Sequence, residues 1–156
     1  KPAALKVKRD DAFCLQCHEG VRSDFRLQFH HPVTEGQMRC ADCHSIHGEP
    51  RHNPIIQATN EACLSCHAEI RGPWVFEHLA MDEGCQVCHQ PHGSINNKLL
   101  VTVDNSLCIR CHFQQPTGFF GRRPHVQFLQ SGALCYDCHV QVHGSNTDRN
   151  FNPRRF

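Results

Sequence analysis

Only two methionines, one tryptophan and one tyrosine occur among the 156 residues. No apolar run approaches the roughly 20 residues with which a helix crosses a bilayer, so the sequence predicts no transmembrane segment of its own. The opening Lys1-Pro2-Ala3 lacks the apolar stretch of a signal peptide, and the chain reads as mature or truncated at its start. Apolar residues amount to 39% with cysteine included, which is low for a globular domain of this length and too little for a conventional side-chain core. The formal charge is only +1, from 16 basic and 15 acidic residues, so the basic footprint of a nucleic-acid binder is missing. Strand signals are scarce, with Leu99-Leu100-Val101-Thr102-Val103 the single candidate. Pro50, Pro54, Pro73, Pro91, Pro116 and Pro124 break any long helix.

What the chain does have is 12 cysteines and 14 histidines. Every cysteine belongs to one of six Cys-x-x-Cys-His motifs: Cys14-Cys17-His18, Cys40-Cys43-His44, Cys63-Cys66-His67, Cys85-Cys88-His89, Cys108-Cys111-His112 and Cys135-Cys138-His139. This spacing is the covalent haem-attachment signature, in which two thiols bond the porphyrin edge and the adjacent imidazole takes an axial position on iron. Zinc ribbons and disulfide frameworks also use paired cysteines, but neither requires a histidine directly after the second one. Six c-type haems are expected; the resemblance of these motifs to those of the cytochrome c class, in which attachment takes place outside the cytoplasm, implies export.

Six haems on 156 residues leave about 26 residues per cofactor. The porphyrin faces must then supply the buried apolar surface, with the polypeptide as their wrapper. Twelve propionates bring the charge to about −5 with every iron ferric and about −11 with every iron ferrous, which argues further against a nucleic-acid partner. Arg122-Arg123 and Arg154-Arg155 are read as propionate partners or solvated charge.

The motifs come in pairs. Each even-numbered motif is followed closely by His-Gly, at His47-Gly48, His92-Gly93 and His143-Gly144. Each odd-numbered motif is followed by a longer interval containing His30-His31, His78 or His125. The pair repeats after 49 residues, from Cys14 to Cys63, and then after 45, from Cys63 to Cys108. Such a period marks an array of similar modules. The chain is therefore read as one hexahaem domain of three di-haem units, about 11–54, 60–97 and 105–146. Its fold class is mostly coil with short α-helices around a stack of haems and little or no β-sheet. Asp11 to His18, Asn60 to Ala68 and Asn105 to Phe113 fit short helices carrying attachment sites, with Asp10, Asn60 and Asp104 or Asn105 as N-caps.

Eight histidines lie outside the motifs, and the repeat offers two per pair as second axial ligands: His30 or His31 with His47, His78 with His92, and His125 with His143. His47 is too close to His44 to reach the opposite face of the same haem, so the His-Gly histidines should each serve a different haem. In the first interval, counting back from the following cysteine or from the shared Glu-Gly step selects His30. His31, before Pro32, is then a spacer or propionate partner. Met38 and Met81 do not recur across the pairs and are read as packing residues, and His52 as surface. Bis-histidine coordination implies low potentials. Trp74, Phe76, Phe119, Phe120 and Phe128 are expected to pack on haem.

These residues resemble the doubled C-x-x-C-H multihaem cytochromes. Glu83-Gly84-Cys85 to Pro91-His92-Gly93-Ser94 has the form of that unit. Cys135 to His143-Gly144-Ser145-Asn146 is similar to the end of the decahaem MtrA/DmsE-type cytochromes, which carry electrons through an outer-membrane porin. The pentahaem donor to periplasmic nitrite reductase resembles it more distantly. The resemblance covers residues 11 to 146 and implies an electron carrier, not an enzyme, in the periplasm or associated with the outer membrane or exterior. Its partners would be a redox donor and acceptor protein, with an outer-membrane porin or further copies of the chain as additional candidates. Six motifs in place of ten is a departure. Two other readings stay open: a polymerising subunit of an extracellular cytochrome filament, and a multihaem reductase of nitrogen or sulfur oxyanions.

Overall fold

The computed structural model describes residues 11–44, 56–112, 119–120 and 123–152, with the backbone alone for 56–59, 119–120 and 123–124. The fold is mostly coil punctuated by short helices, as the composition predicts. The helices are α1 (Asp11–Cys14), α2 (Glu19–Asp24), α3 (Cys40–Cys43), α4 (Ile56–Leu64), α5 (Asp104–Ile109), α6 (His125–Gln130) and α7 (Cys135–Cys138). Single 3-10 turns fall at Ala68–Ile70, Leu79–Met81, Cys85–Val87 and Asn97–Leu99. Strands β1 (Phe76–Glu77) and β4 (Gly144–Ser145) pair antiparallel, as do β2 (Phe119–Phe120) and β3 (Arg123–Pro124). Among the described residues no helix is long and apolar enough to cross a membrane.

The described residues group into two compact units, one of residues 11–44 with His89–Leu100 and one of residues 56–88 with 101–152. In the first, Phe29 N–H donates to Ser94 O (3.1 Å) and Ser94 N–H donates back to Phe29 O (2.7 Å). Ser94 is 1% exposed, and its hydroxyl donates to Leu100 O at 2.7 Å while accepting from Asn96 N–H. The tail packs so closely on α2 that a Cβ on Gly93 would stand 2.0 Å from Asp24 O.

The second unit repeats this arrangement with different residues. Phe76 pairs with Ser145 and Glu77 with Gly144. Ser145 is fully buried, its hydroxyl donating to Gln141 Oε1 and accepting from the backbone N–H of Thr147 and Asp148. Gly144, at φ +152°, leaves room for the Trp74 ring, whose Nε1–H donates to Ile70 O.

The strand expected at 99–103 is reduced to one antiparallel bridge, Leu100 with His89, made by Gln90 N–H to Leu99 O and Val101 N–H to Cys88 O. It stops there because Lys98 and Leu99 adopt φ near +57°, Leu100 O accepts from the Ser94 and Asn96 side chains, and α5 begins at Asp104. The observed strands are two residues long, too short to leave a period-two signature.

Apolar burial is sparse. Among the described residues the buried apolar side chains are Leu15, Phe25 and Val33, whereas Val75, Leu79 and Ile95 are 70–75% exposed.

Candidate haem-binding sites

Each motif is one tight turn. His18, His44, His67, His112 and His139 donate their backbone N–H to the carbonyl of their own motif's first cysteine, at 2.8–3.1 Å. In the fourth motif Cys88 N–H donates to Cys85 O instead, at 3.2 Å. One such turn sets residues three apart on a common side, which is how two thiols reach neighbouring carbons of one porphyrin edge. The first cysteine of every motif is partly buried, and the second is exposed everywhere except at Cys88.

A repeated side-chain clamp joins the two motifs of each pair. The residue three before the first cysteine of the odd motif accepts the backbone N–H of the first cysteine of the even motif: Asp11 Oδ1 from Cys40 (2.8 Å), Asn60 Oδ1 from Cys85 (2.9 Å) and Asn105 Oδ1 from Cys135 (2.7 Å). The two asparagines also donate, Asn60 to Met81 O and Asn105 to Ala133 O, both at 3.0 Å. Asn60 and Asn105 therefore lie within α4 and α5 and do not cap them, while Asp10 lies outside the described residues. The clamp brings first-cysteine thiols together, Cys14 with Cys40, Cys63 with Cys85 and Cys108 with Cys135. Replacing Asn105 by Ala strands a backbone N–H and a carbonyl, and the mature protein should lose about 1–3 kcal/mol. Asn105→Asp keeps the acceptor, as Asp11 does naturally, and should lose less. Thermal denaturation reads both; an alanine variant melting with the parent would remove the clamp from the account.

The first-cysteine thiols are held in their neutral form. Burial, then the Asp11 carboxylate, pushes Cys40 up to about 12, and burial with the Cys135 thiol pushes Cys108 up to about 11. Cys40 N–H keeps the Asp11 carboxylate ionised. Among the described residues no three His, Cys, Asp or Glu side chains converge as a metal site would need, and no cysteine is in a disulfide.

The imidazoles are arranged in another way. His44 and His92 have ring centroids 5.9 Å apart, His78 and His112 6.2 Å, and His125 and His139 6.0 Å. Each is one motif histidine facing one histidine outside the motifs. Two imidazoles bonded to one metal at about 2 Å, each with its centroid about 1.1 Å behind the nitrogen, stand about 6.2 Å apart, so the residues present fit a haem iron between two rings. Ordinary ring packing reaches similar distances, but it would not select a motif partner three times. Burial and the neighbouring His44 ring hold His92 below the usual imidazole range, in the neutral form that binds metal.

Several rings are aimed through Nδ1. Its N–H donates to a carbonyl from His89 (Lys98 O, 2.8 Å), His139 (Asn150 O, 2.5 Å), His78 (Val142 O, 2.8 Å) and His31 (Pro91 O, 2.6 Å). Such a bond fixes the tautomer and directs Nε2 outward. His30 is held differently, with Nδ1 on Leu27 O at 2.6 Å and Nε2 on Glu35 Oε1 at 3.0 Å. Glu35 raises the His30 pKa accordingly. His143 lines a cleft of about 170 Å³ with His78, Trp74, Leu64 and Met81. His47, His52, Arg122, Arg154 and Arg155 lie outside the described residues, as do the side chains of Phe119, Phe120 and Arg123.

Sequence reading missed the clamp, although its signal was present as Asp11, Asn60 and Asn105 at a constant offset from Cys14, Cys63 and Cys108. Ser94 and Ser145 entered it only as part of the family-type segments, without their buried hydrogen bonds.

Paired single-turn motifs, bridged at their first cysteines and accompanied by facing imidazoles, define a class. The family model for the doubled CXXCH motif matches residues 30–72 and 78–117, and the chain belongs to that family as a multihaem c-type cytochrome with covalently bound haem. It is 36% identical to the multiheme cytochrome MtrA of Shewanella baltica (strain OS185) over 94% of its own length. The chain spans 46% of that relative.

Proposed function

We propose that this protein relays electrons along six bis-histidine haems, from a periplasmic or quinol-oxidising donor to a partner enzyme, an outer-membrane conduit or an extracellular acceptor. The observation that carries this reading is the three facing imidazole pairs at 5.9–6.2 Å. Haem supplies reversible one-electron exchange at iron. The chain would hold each iron between two imidazoles, so its oxidation state could change without a substrate entering, as suits a carrier and not a reductase. His18, His44, His67, His89, His112 and His139 would be the proximal ligands. Six of the eight histidines outside the motifs would be the distal ones: His47, His92 and His143 from the His-Gly tails, His78, His125, and one of His30 and His31.

Three di-haem units, about 11–54, 60–97 and 105–146, fit the threefold clamp, which sets the attachment edges of each pair side by side. Porphyrin faces would cover apolar side chains such as Val75, Leu79 and Ile95. Its place is read as the periplasm or the outer membrane, as the resemblance to the MtrA/DmsE-type cytochromes implies, with redox donor and acceptor proteins as partners.

Intact mass under denaturing conditions should give six haems per chain. In the native protein the ferric spectrum should be low-spin throughout, with no carbon monoxide binding after reduction. A substantial high-spin population would favour a reductase with an open iron and overturn the carrier reading.

A further inference from the structure

We infer that His31, and not its neighbour His30, supplies the distal imidazole to one haem. This assignment rests on the bis-histidine reading above and adds to it the identity of a ligand that spacing along the sequence places one residue earlier.

Spacing from the following cysteine is a poor ruler in this interval, because nine residues separate His31 from Cys40 and seven separate His78 from Cys85. The extra length is taken up by a turn after the histidine. Gly36 N–H closes it on Val33 O, with Gly36 at φ +73°. Gly84, which the Glu-Gly step would equate with Gly36, likewise donates its N–H three residues back, to Met81 O, at φ +108°. It stands directly before Cys85, however, whereas Gly36 stands four residues before Cys40, so counting from the Glu-Gly step fixes no common register.

The backbone register supplies a better ruler. Phe29 pairs with Ser94 and Phe76 pairs with Ser145, and each serine is the third residue of a His-Gly-Ser tail. Two residues beyond each phenylalanine lie His31 and His78. Each donates its Nδ1–H to the carbonyl just before the tail histidine, His31 to Pro91 O at 2.6 Å and His78 to Val142 O at 2.8 Å. Pairing and side-chain hydrogen bond are separate observations, and both superpose His31 on His78. His78 in turn faces the motif ring of His112 across 6.2 Å. Pro32 is consistent with this, since the residue before proline is held extended and His78 is itself extended at φ −92°, ψ 111°.

His30 occupies the position of Glu77, one residue off the register, and its ring is tied at both nitrogens within its own loop, to Leu27 and Glu35. A metal ligand must give one ring nitrogen to the metal.

The test uses the fully matured protein. His31→Ala should convert one haem equivalent to the high-spin ferric form, create one carbon monoxide site per chain on reduction, and return to low spin when imidazole is added. His30→Ala should stay low-spin and bind no carbon monoxide. The opposite pattern, or low-spin spectra in both variants, would overturn the assignment. Should the alanine variant fail to mature, His31→Met decides. One midpoint potential shifted upward with all haems low-spin is expected of a changed axial ligand, and six unchanged potentials would refute it. Failure of the underlying bis-histidine reading would be visible separately, as high-spin iron in the unsubstituted protein.

Discussion

A chain in which all twelve motif cysteines are replaced by alanine should show no cooperative thermal transition and the far-ultraviolet signature of coil. The buried apolar side chains among the described residues are Leu15, Phe25 and Val33, too few to offset the conformational entropy lost in ordering the chain. The ladders of β1 with β4 and β2 with β3 involve two residues per strand and fall far short of a self-supporting sheet. Cofactor surface must supply the rest, so the chain folds only once haem is attached. Calorimetry on the cysteine-free chain measures this. A sharp endotherm would mean that the polypeptide holds itself together.

Gly93→Ala should lower the melting temperature by several degrees and open one haem. The new Cβ would lie 2.0 Å from Asp24 O and 2.7 Å from Asp24 C, both backbone atoms that cannot swing aside. Overpacking of this kind costs about 1–3 kcal/mol, which in a domain of this size moves the midpoint by several degrees. Relief requires the tail to lift from α2, and the adjacent His92 moves with it, away from Phe25 at 5.5 Å and His44 at 5.9 Å. A high-spin signal should therefore accompany the loss of stability. Gly20→Ala in α2 is the control, since a Cβ there meets nothing within 4 Å and removes backbone freedom from the unfolded chain. Equal melting temperatures and spectra for the two variants would contradict the close approach of tail and helix.

The attachment sites were legible in the sequence because their chemistry is local. Two thiols and an imidazole on one turn need only five consecutive residues. The doubling was legible too, since His-Gly recurs after every even motif. The clamp was harder to read because Asn60 and Asn105 sit where helix starts are expected, and capping is the commoner use of such residues. Their true partners, the backbone N–H groups of Cys85 and Cys135, lie 25 and 30 residues away. The choice between His30 and His31 turned on a two-residue insertion absorbed by the Val33–Gly36 turn, and length differences of that sort are invisible without the register of Phe29 on Ser94.

The contacts that aim His31 and His78 span 60 and 64 residues of chain. Folding depends on attached haem, so until the cofactors are in place nothing holds Pro91–Ser94 against Phe29–His31, some sixty residues earlier in the chain. Until then the motifs are strung on an open, accessible strand, which is the condition an attachment machinery outside the cytoplasm needs to handle each Cys-x-x-Cys-His turn individually. Closing a loop of this length is slow relative to local turns, because its entropy must be lost before the distant pairing forms. The fold thus builds a delay into its own biogenesis: cofactors can be seated one after another, and the His-Gly-Ser segments arrive afterwards as latches.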